Sequence, residues 1–172
     1  NSLEFYLTKK LLKNYDYQIK KVQNKNWVKL TNKEYVGCET NNFFFYQNFK
    51  RKVINKTNIV IPPGIAFGTG KHQSTELVVR QLEEISKRMN FYSPLDIGTG
   101  TGILTFVIRK FTKRKIYSTD LSVDSMNCFI YNKKINNFND LFFIKCNGVN
   151  SDLLREKKFD LIVANLLLNE HK

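Results

Sequence analysis

Leu95-Asp96-Ile97-Gly98-Thr99-Gly100-Thr101-Gly102 reads as a short apolar strand running straight into a glycine-rich turn. The residues that follow, Ile103 to Phe111, have the spacing of an apolar helix. Strand, tight turn and helix in that order form the opening unit of an α/β nucleotide fold. Glycine tolerates positive φ and has no side chain to hold a ligand away, so Gly98, Gly100 and Gly102 suit a backbone that a nucleotide must approach closely. The next strand, Lys115 to Thr119, closes at Asp120. That is about twenty residues beyond the loop, where nucleotide folds place an acceptor for ribose hydroxyls.

The spacing discriminates among nucleotides. Dinucleotide loops follow G-x-G-x-x-G, whereas here the third glycine position holds Ile103 and the loop is G-x-G-x-G. Phosphate loops need Gly-Lys-Ser/Thr, and Gly70-Lys71-His72 lacks the hydroxyl. With the acid Asp96 before the loop, a helix behind it and Asp120 beyond, the pattern points to an adenosyl cofactor, S-adenosylmethionine. The bland alternative is a glycine-rich turn that binds nothing.

Working outward, Val78, Leu82 and Ile85 predict a helix from about Thr75 to Lys87. Residues 122–135 predict another, with Val123, Met126 and Ile130 on one face. Strands are expected at Pro94–Ile97, Leu141–Lys145 and Phe159–Ala164. The last is apolar after Asp160, as when both faces of a sheet are covered. This alternation predicts an α/β fold with a doubly wound, Rossmann-like sheet. Only four strands of the repeat are present, so the sheet is expected to be truncated after the fourth. Upstream, Phe43–Tyr46 and Asn58–Ile61 read as short strands, the second stopped by Pro62-Pro63-Gly64. Residues 24–42 read as a connector. Residues 3–22 suggest a helix end and the alternating strand Tyr15–Lys20, as though the chain began inside a domain.

Composition sets outer limits. The chain has 172 residues, 42% of them hydrophobic, enough for a packed core. No apolar run nears the roughly 20 residues that span a bilayer, and Asn1–Lys10 has no secretory pattern. Cys38, Cys128 and Cys146 are odd in number and far apart, which suits neither a disulfide framework nor a metal site. The expectation is a soluble, reduced, cytoplasmic protein with no membrane partner and no metal. The net charge of +13 looks dispersed, as a general abundance of Lys would produce. Residues 1–60 nonetheless hold twelve Lys and Arg against four acids. Any acidic or nucleic-acid partner is therefore expected on that N-terminal part.

A rarer stretch narrows the reaction. Pro62-Pro63-Gly64-Ile65-Ala66-Phe67-Gly68-Thr69-Gly70-Lys71-His72-Gln73-Ser74-Thr75 resembles the signature of the PrmA family, methyltransferases of ribosomal protein eleven of the large subunit. The resemblance continues through Leu95–Gly102, Asp120 and Leu161–Leu166, and covers about residues 24–172, with Asn26-Trp27-Val28 similar to the start of the family's linker. It implies a class I methyltransferase sheet at 58–172 and a linker with short strands at 24–57. Residues 1–23 would be the tail of an N-terminal α+β, ferredoxin-like substrate-recognition domain. It implies S-adenosylmethionine contacts at Thr75, Gly98, Asp120 and Asn165, with Gly100 in the same loop. Phe67, Gly68, Thr69 and Gly70 would cover the methionine end. The implied reaction is N-methylation of lysine or α-amino groups of a large-subunit ribosomal protein by a monomer.

Other readings of these residues stay open. Thr75 could be only a helix N-cap, Asn165 a strand terminator, and His72 a backbone organiser rather than a base. Methyl transfer needs no dedicated base, because desolvation favours the neutral amine. The +13 charge also suits an RNA or other nucleic-acid methyltransferase, although Asn165-Leu166-Leu167-Leu168 lacks the prolines of the amino-methylating motif. A basic, non-catalytic binding fragment is the third possibility.

Overall fold

The computed structural model describes residues 38–47, 52–62 and 73–166. In chain order these form β1 (Cys38–Glu39), β2 (Phe43–Tyr46), β3 (Thr57–Val60), α1 (Gln73–Ser86), β4 (Pro94–Ile97) and α2 (Ile103–Phe111). There follow β5 (Tyr117–Asp120), α3 (Val123–Ile135), β6 (Phe142–Lys145) and β7 (Leu161–Ala164). The elements expected within residues 3–22, the domain at 1–23 and Asn26–Val28 lie outside the described residues.

From β4 onward every pairing is parallel, in the order β6-β5-β4-β7. The α/β expectation is met. Chain order reverses at β4, with β5 on one side and β7 on the other. Such a reversal opens a crevice at the carboxyl ends of the strands.

One face of this sheet carries Asp96, Ser118, Phe143 and Val163 in register. Helix α2 lies on it, as Thr105 hydrogen-bonds Asp96 and reaches Ser118. Helix α3 joins it through Phe129, whose ring centroid lies 5.5 Å from that of Phe143. Residues Ile103–Arg109 of α2 are buried all round, which explains a helix without a polar face. Gly102 precedes it with φ +87°, and a Cβ there would come within 2.7 Å of both Phe106 and Phe129. This glycine permits close packing of two helices and a left-handed cap.

Three expectations are corrected. The inner face of α3 is Ser125, Phe129 and Asn132, while Val123 and Ile130 are exposed. Phe129 fills the space beside Phe106, and Asn132 turns inward to hydrogen-bond Thr101 O. Strand β7 is not covered on both faces. Ile162 is 57% exposed, as is Phe142 (58%) on the same face two strands beyond Leu95. The strand also starts later than its apolar run, because Asp160 accepts from the backbone N–H groups of Tyr92 and Ser93 and makes a corner.

The upstream residues form a second sheet, β1-β2-β3, antiparallel then parallel. Strand β1 falls in a segment expected to be a connector. All four residues of β2 are buried, and they alternate. Phe43 and Phe45 enter the main core, while Phe44 and Tyr46 pack with Val60. The Glu83 carboxylate of α1 holds the β1–β2 turn, accepting from Thr40 Oγ1 (2.8 Å) and Asn42 N (2.7 Å). Asn136, at the end of α3, clamps β3. Its Oδ1 accepts from Val60 N (2.8 Å) and its Nδ2 donates to Val60 O (2.7 Å). A side-chain amide thus does for Val60 what a neighbouring strand would do. No helix among the described residues is long and apolar enough to cross a membrane.

Asn136→Ala leaves both Val60 groups without that partner. The expected loss is about 1–3 kcal/mol, the cost of unmade buried hydrogen bonds. Urea unfolding measures it, and an unchanged midpoint would show the clamp to be incidental.

Candidate functional site

The crevice gathers residues from four elements. Ile97 lies in register with Thr119 on one side and Ala164 on the other, so Gly98, Asp120 and Asn165 follow one another along the carboxyl edge. Helix α1 adds Thr75. Asn165 Nδ2 donates to Thr75 Oγ1 at 3.1 Å, a contact spanning 90 positions of sequence. Thr75 is buried within the first turn of α1, two residues past its start, so it does not sit at the cap. Asn165 does follow the last strand, but its side chain is engaged.

The glycine loop is held open by its neighbours. Asp120 Oδ2 accepts from Gly100 N at 2.9 Å, and Oδ1 accepts from Ser122 N at 2.9 Å. Thr99 N donates to Thr119 O, and Asn132 Nδ2 donates to Thr101 O. Gly98 takes φ +66°, and a Cβ there would meet Leu166 Cδ2 at 1.9 Å. Any side chain at position 98 would therefore displace the residue beside Asn165. Each Asp120 oxygen carries two lone pairs and uses one on backbone. The carboxylate keeps an acceptor on both oxygens, which fits a vicinal diol such as a ribose.

Beneath the loop lies a polar knot. Asp96 is 1% exposed, and its Oδ2 accepts from Thr99 Oγ1 and Thr105 Oγ1, each at 2.7 Å. Thr105 Oγ1 lies 2.8 Å from Ser118 Oγ, extending the knot to β5. Asp96 Oδ1 has no hydrogen-bond partner among the described residues. Burial pushes this carboxyl up to about 6, against the hydrogen bonds from Thr105 and Thr99, and the nearby Asp120 charge adds to the rise. The sequence flagged Asp96 only as the acid before the loop, and it did not single out Thr105, Ser118 or Asn132. For Thr105 the signal is a hydroxyl within an otherwise apolar stretch of helix; Ser118 and Asn132 carry no such local signal. Phe67, Gly68, Thr69, Gly70 and His72 lie outside the described residues.

The family profile described as Ribosomal protein L11 methyltransferase (PrmA) matches residues 3–170. Among curated relatives, the ribosomal protein L11 methyltransferase of Caldicellulosiruptor bescii is 31% identical over 152 residues, covering 87% of this chain and 48% of its own. That of Prochlorococcus marinus is 36% identical over 146 residues, covering 83% and 48%. The crystal structure of ribosomal protein L11 methylase from Lactobacillus delbrueckii subsp. bulgaricus superposes with a TM-score of 0.64 at 29% identity, over 77% of this chain and 66% of that one. The chain spans about half the length of the curated relatives it matches.

Asp96 makes stability depend on pH with a definite sign. Its folded value, about 6, lies above the ordinary 3.8, so the native state holds the proton more tightly. Stability from this group is complete below about pH 4 and falls as pH rises through 6, by about 3 kcal/mol at most. Asp96→Asn carries no such charge. Urea titrations of both proteins should show the variant gaining on the wild type between pH 4 and 6.5, then levelling. A difference that stays constant with pH would refute the assignment.

Proposed function

The chain belongs to the ribosomal protein L11 methyltransferase (PrmA) family, and from that premise we propose that it binds S-adenosylmethionine and N-methylates lysine or α-amino groups of a large-subunit ribosomal protein. The observation that carries the reading is the convergence of Gly98, Asp120 and the Asn165–Thr75 pair on one strand edge. On this reading residues 58–172 hold the cofactor, 24–57 link, and 1–23 end a substrate-recognition domain. The site would work in the cytoplasm, as a monomer.

Each residue has a task that follows from its surroundings. Asp120 accepts the ribose hydroxyls with the lone pairs that Gly100 and Ser122 leave free. Gly98 lets the adenosyl group reach the backbone, and the Asp96 knot keeps that backbone in place. Thr75 and Asn165 offer a hydroxyl and an amide to the methionine end, joined by the first-turn N–H groups of α1. Phe67, Gly68 and Thr69 complete the cover.

When bound, the cofactor supplies a methyl group on a sulfonium, transferred by direct displacement. What remains for the protein is alignment and exclusion of water. A lysine amine has an ordinary pKa near 10.4 and must arrive neutral. Desolvation in a closed crevice favours that form, with the proton leaving to water.

A nucleic-acid methyltransferase is the second reading, favoured by the charge of +13. Against it, Leu166 follows Asn165 where the amino-methylating motif has proline, and here that leucine packs on Gly98.

Calorimetry on the chain with S-adenosylhomocysteine tests the cofactor site. Asp120→Ala should weaken binding by about 1–3 kcal/mol, the scale of a hydrogen bond to a charged group. Removing the ribose 2′-hydroxyl from the ligand should weaken wild-type binding but add little to the Asp120→Ala loss. Full additivity of the two changes would make Asp120 a loop anchor alone. Tritiated S-adenosylmethionine, offered with the ribosomal protein and with ribosomal RNA, tests the acceptor. Label on protein amines is expected, and label confined to RNA would favour the second reading.

A further inference from the structure

The amino-terminal rim of the four-stranded sheet, opposite the crevice, concentrates charge. Arg109-Lys110-Phe111-Thr112-Lys113-Arg114-Lys115 places five cations within seven residues, where α2 ends and the chain enters β5; Arg109 is buried, and the other four form the surface block. The basic residues are thus not simply dispersed, and this block lies outside residues 1–60. Folding adds Lys157 and Lys158, both exposed, from the approach to β7.

Aromatic rings lie among these cations. Lys115 Nζ sits 5.1 Å from the Tyr117 ring centroid and 5.4 Å from that of Phe142. Lys157 Nζ is 5.5 Å from Tyr117, and the Arg114 guanidinium is 5.6 Å from Tyr92. Tyr92 is 60% exposed and Phe142 58%. Three carboxylates lie nearby: Asp140 pairs with Arg109 at 3.3 Å, and Asp160, which accepts from the backbone N–H groups of Tyr92 and Ser93, keeps its charge on the rim. Glu156 is the third, so Lys110, Lys113, Arg114, Lys115, Lys157 and Lys158 still outnumber the carboxylates left unpaired with Arg109.

We infer that this rim is a binding surface for single-stranded nucleic acid, with Tyr92 and Phe142 stacking bases while Arg114, Lys115 and Lys157 take phosphates. Stacking needs exposed rings beside cations that can reach the backbone. Here Tyr92 and Phe142 are each more than half exposed, each with a cation poised over its ring that a base can displace toward a phosphate. In a duplex the bases are already stacked on each other, so the rings would have nothing to hold. An acidic protein would use the cations and leave the exposed rings idle. The surface lies at the far end of the strands from Gly98 and Asp120, so occupancy there does not compete with the cofactor.

Fluorescence anisotropy on the full chain, with labelled oligouridine and oligodeoxythymidine of about twelve nucleotides, tests this. Both strands should bind, more tightly than a duplex of equal length. Lys115→Glu should weaken binding roughly tenfold or more and flatten the dependence of log K on log salt by about one unit. Lys145→Glu, an equal charge change at the opposite strand end, should alter affinity by less than about twofold. Tyr92→Ala should cost about fivefold or more with an unchanged salt slope. If Lys115→Glu lowers the unfolding midpoint, Arg114→Glu replaces it. Absence of binding, tighter binding to duplex, equal losses at Lys115 and Lys145, or no effect of Tyr92→Ala would each overturn the assignment. The last outcome leaves only a diffuse attraction for polyanions.

Discussion

A carboxylate almost wholly removed from water joins β4, the glycine loop, α2 and β5. Asp96 receives hydroxyl protons from Thr99 in the loop and Thr105 in the helix, and Thr105 passes the chain of contacts to Ser118 in the strand. Burying a charge without a cation is costly, and the raised carboxyl pKa measures that cost. What the cost secures is geometry. Loop, helix and two strands share one set of hydrogen bonds, so none of them can shift without leaving a buried polar group unmade. The loop's shape follows from this knot together with Asp120, which ties Gly100 from the outer side.

The crevice therefore has two halves of different character. The glycine-loop half is fixed from below by Asp96 and from the side by Asp120 and Asn132. In the other half, Asn165 and Thr75 meet across a long stretch of chain through a hydrogen bond between neutral groups. A single hydrogen bond between neutral groups contributes only about 1 kcal/mol net. A ligand that offers its own donors and acceptors to these two side chains can replace that bond at little cost.

The sequence displayed the repeating part of the fold well, because short strands set off by turn residues alternate with longer segments, of which α1 and α2 carry apolar residues at helical spacing. Its errors have physical causes. Strand β1 is only two residues long and is stabilised by Glu83, which lies more than forty positions away. The inner face of α3 was misread because two of its three buried residues, Ser125 and Asn132, are polar, and hydrophobic periodicity cannot register an inward hydrogen bond. The coverage of β7 was misread because an apolar strand does not reveal which face lacks a neighbour. In the site, spacing alone singled out Gly98 and Asp120. Thr75 and Asn165 could be paired only through resemblance, since nothing local links positions so far apart.

The two ends of the parallel strands have become chemically unlike, and the direction of the strands explains why. Every strand of the sheet points its carboxyl end at the crevice, so the glycine loop after β4 and the Asp120–Ser122 turn after β5 gather there. Every helix returns the chain to the opposite rim. Helix C-termini favour cations, and α2 ends in Arg109 and Lys110 while α3 ends in Lys133 and Lys134. Cations there stabilise the fold locally whatever else they do. The helix dipole does not account for Lys113, Arg114 and Lys115 beyond the end of α2, nor for exposed rings beneath them. A strand of four residues spans only about 13 Å. Even so, that length separates a rim built to draw polyanions from an edge built around Asp96 and Asp120, and substitutions at one need not disturb the other.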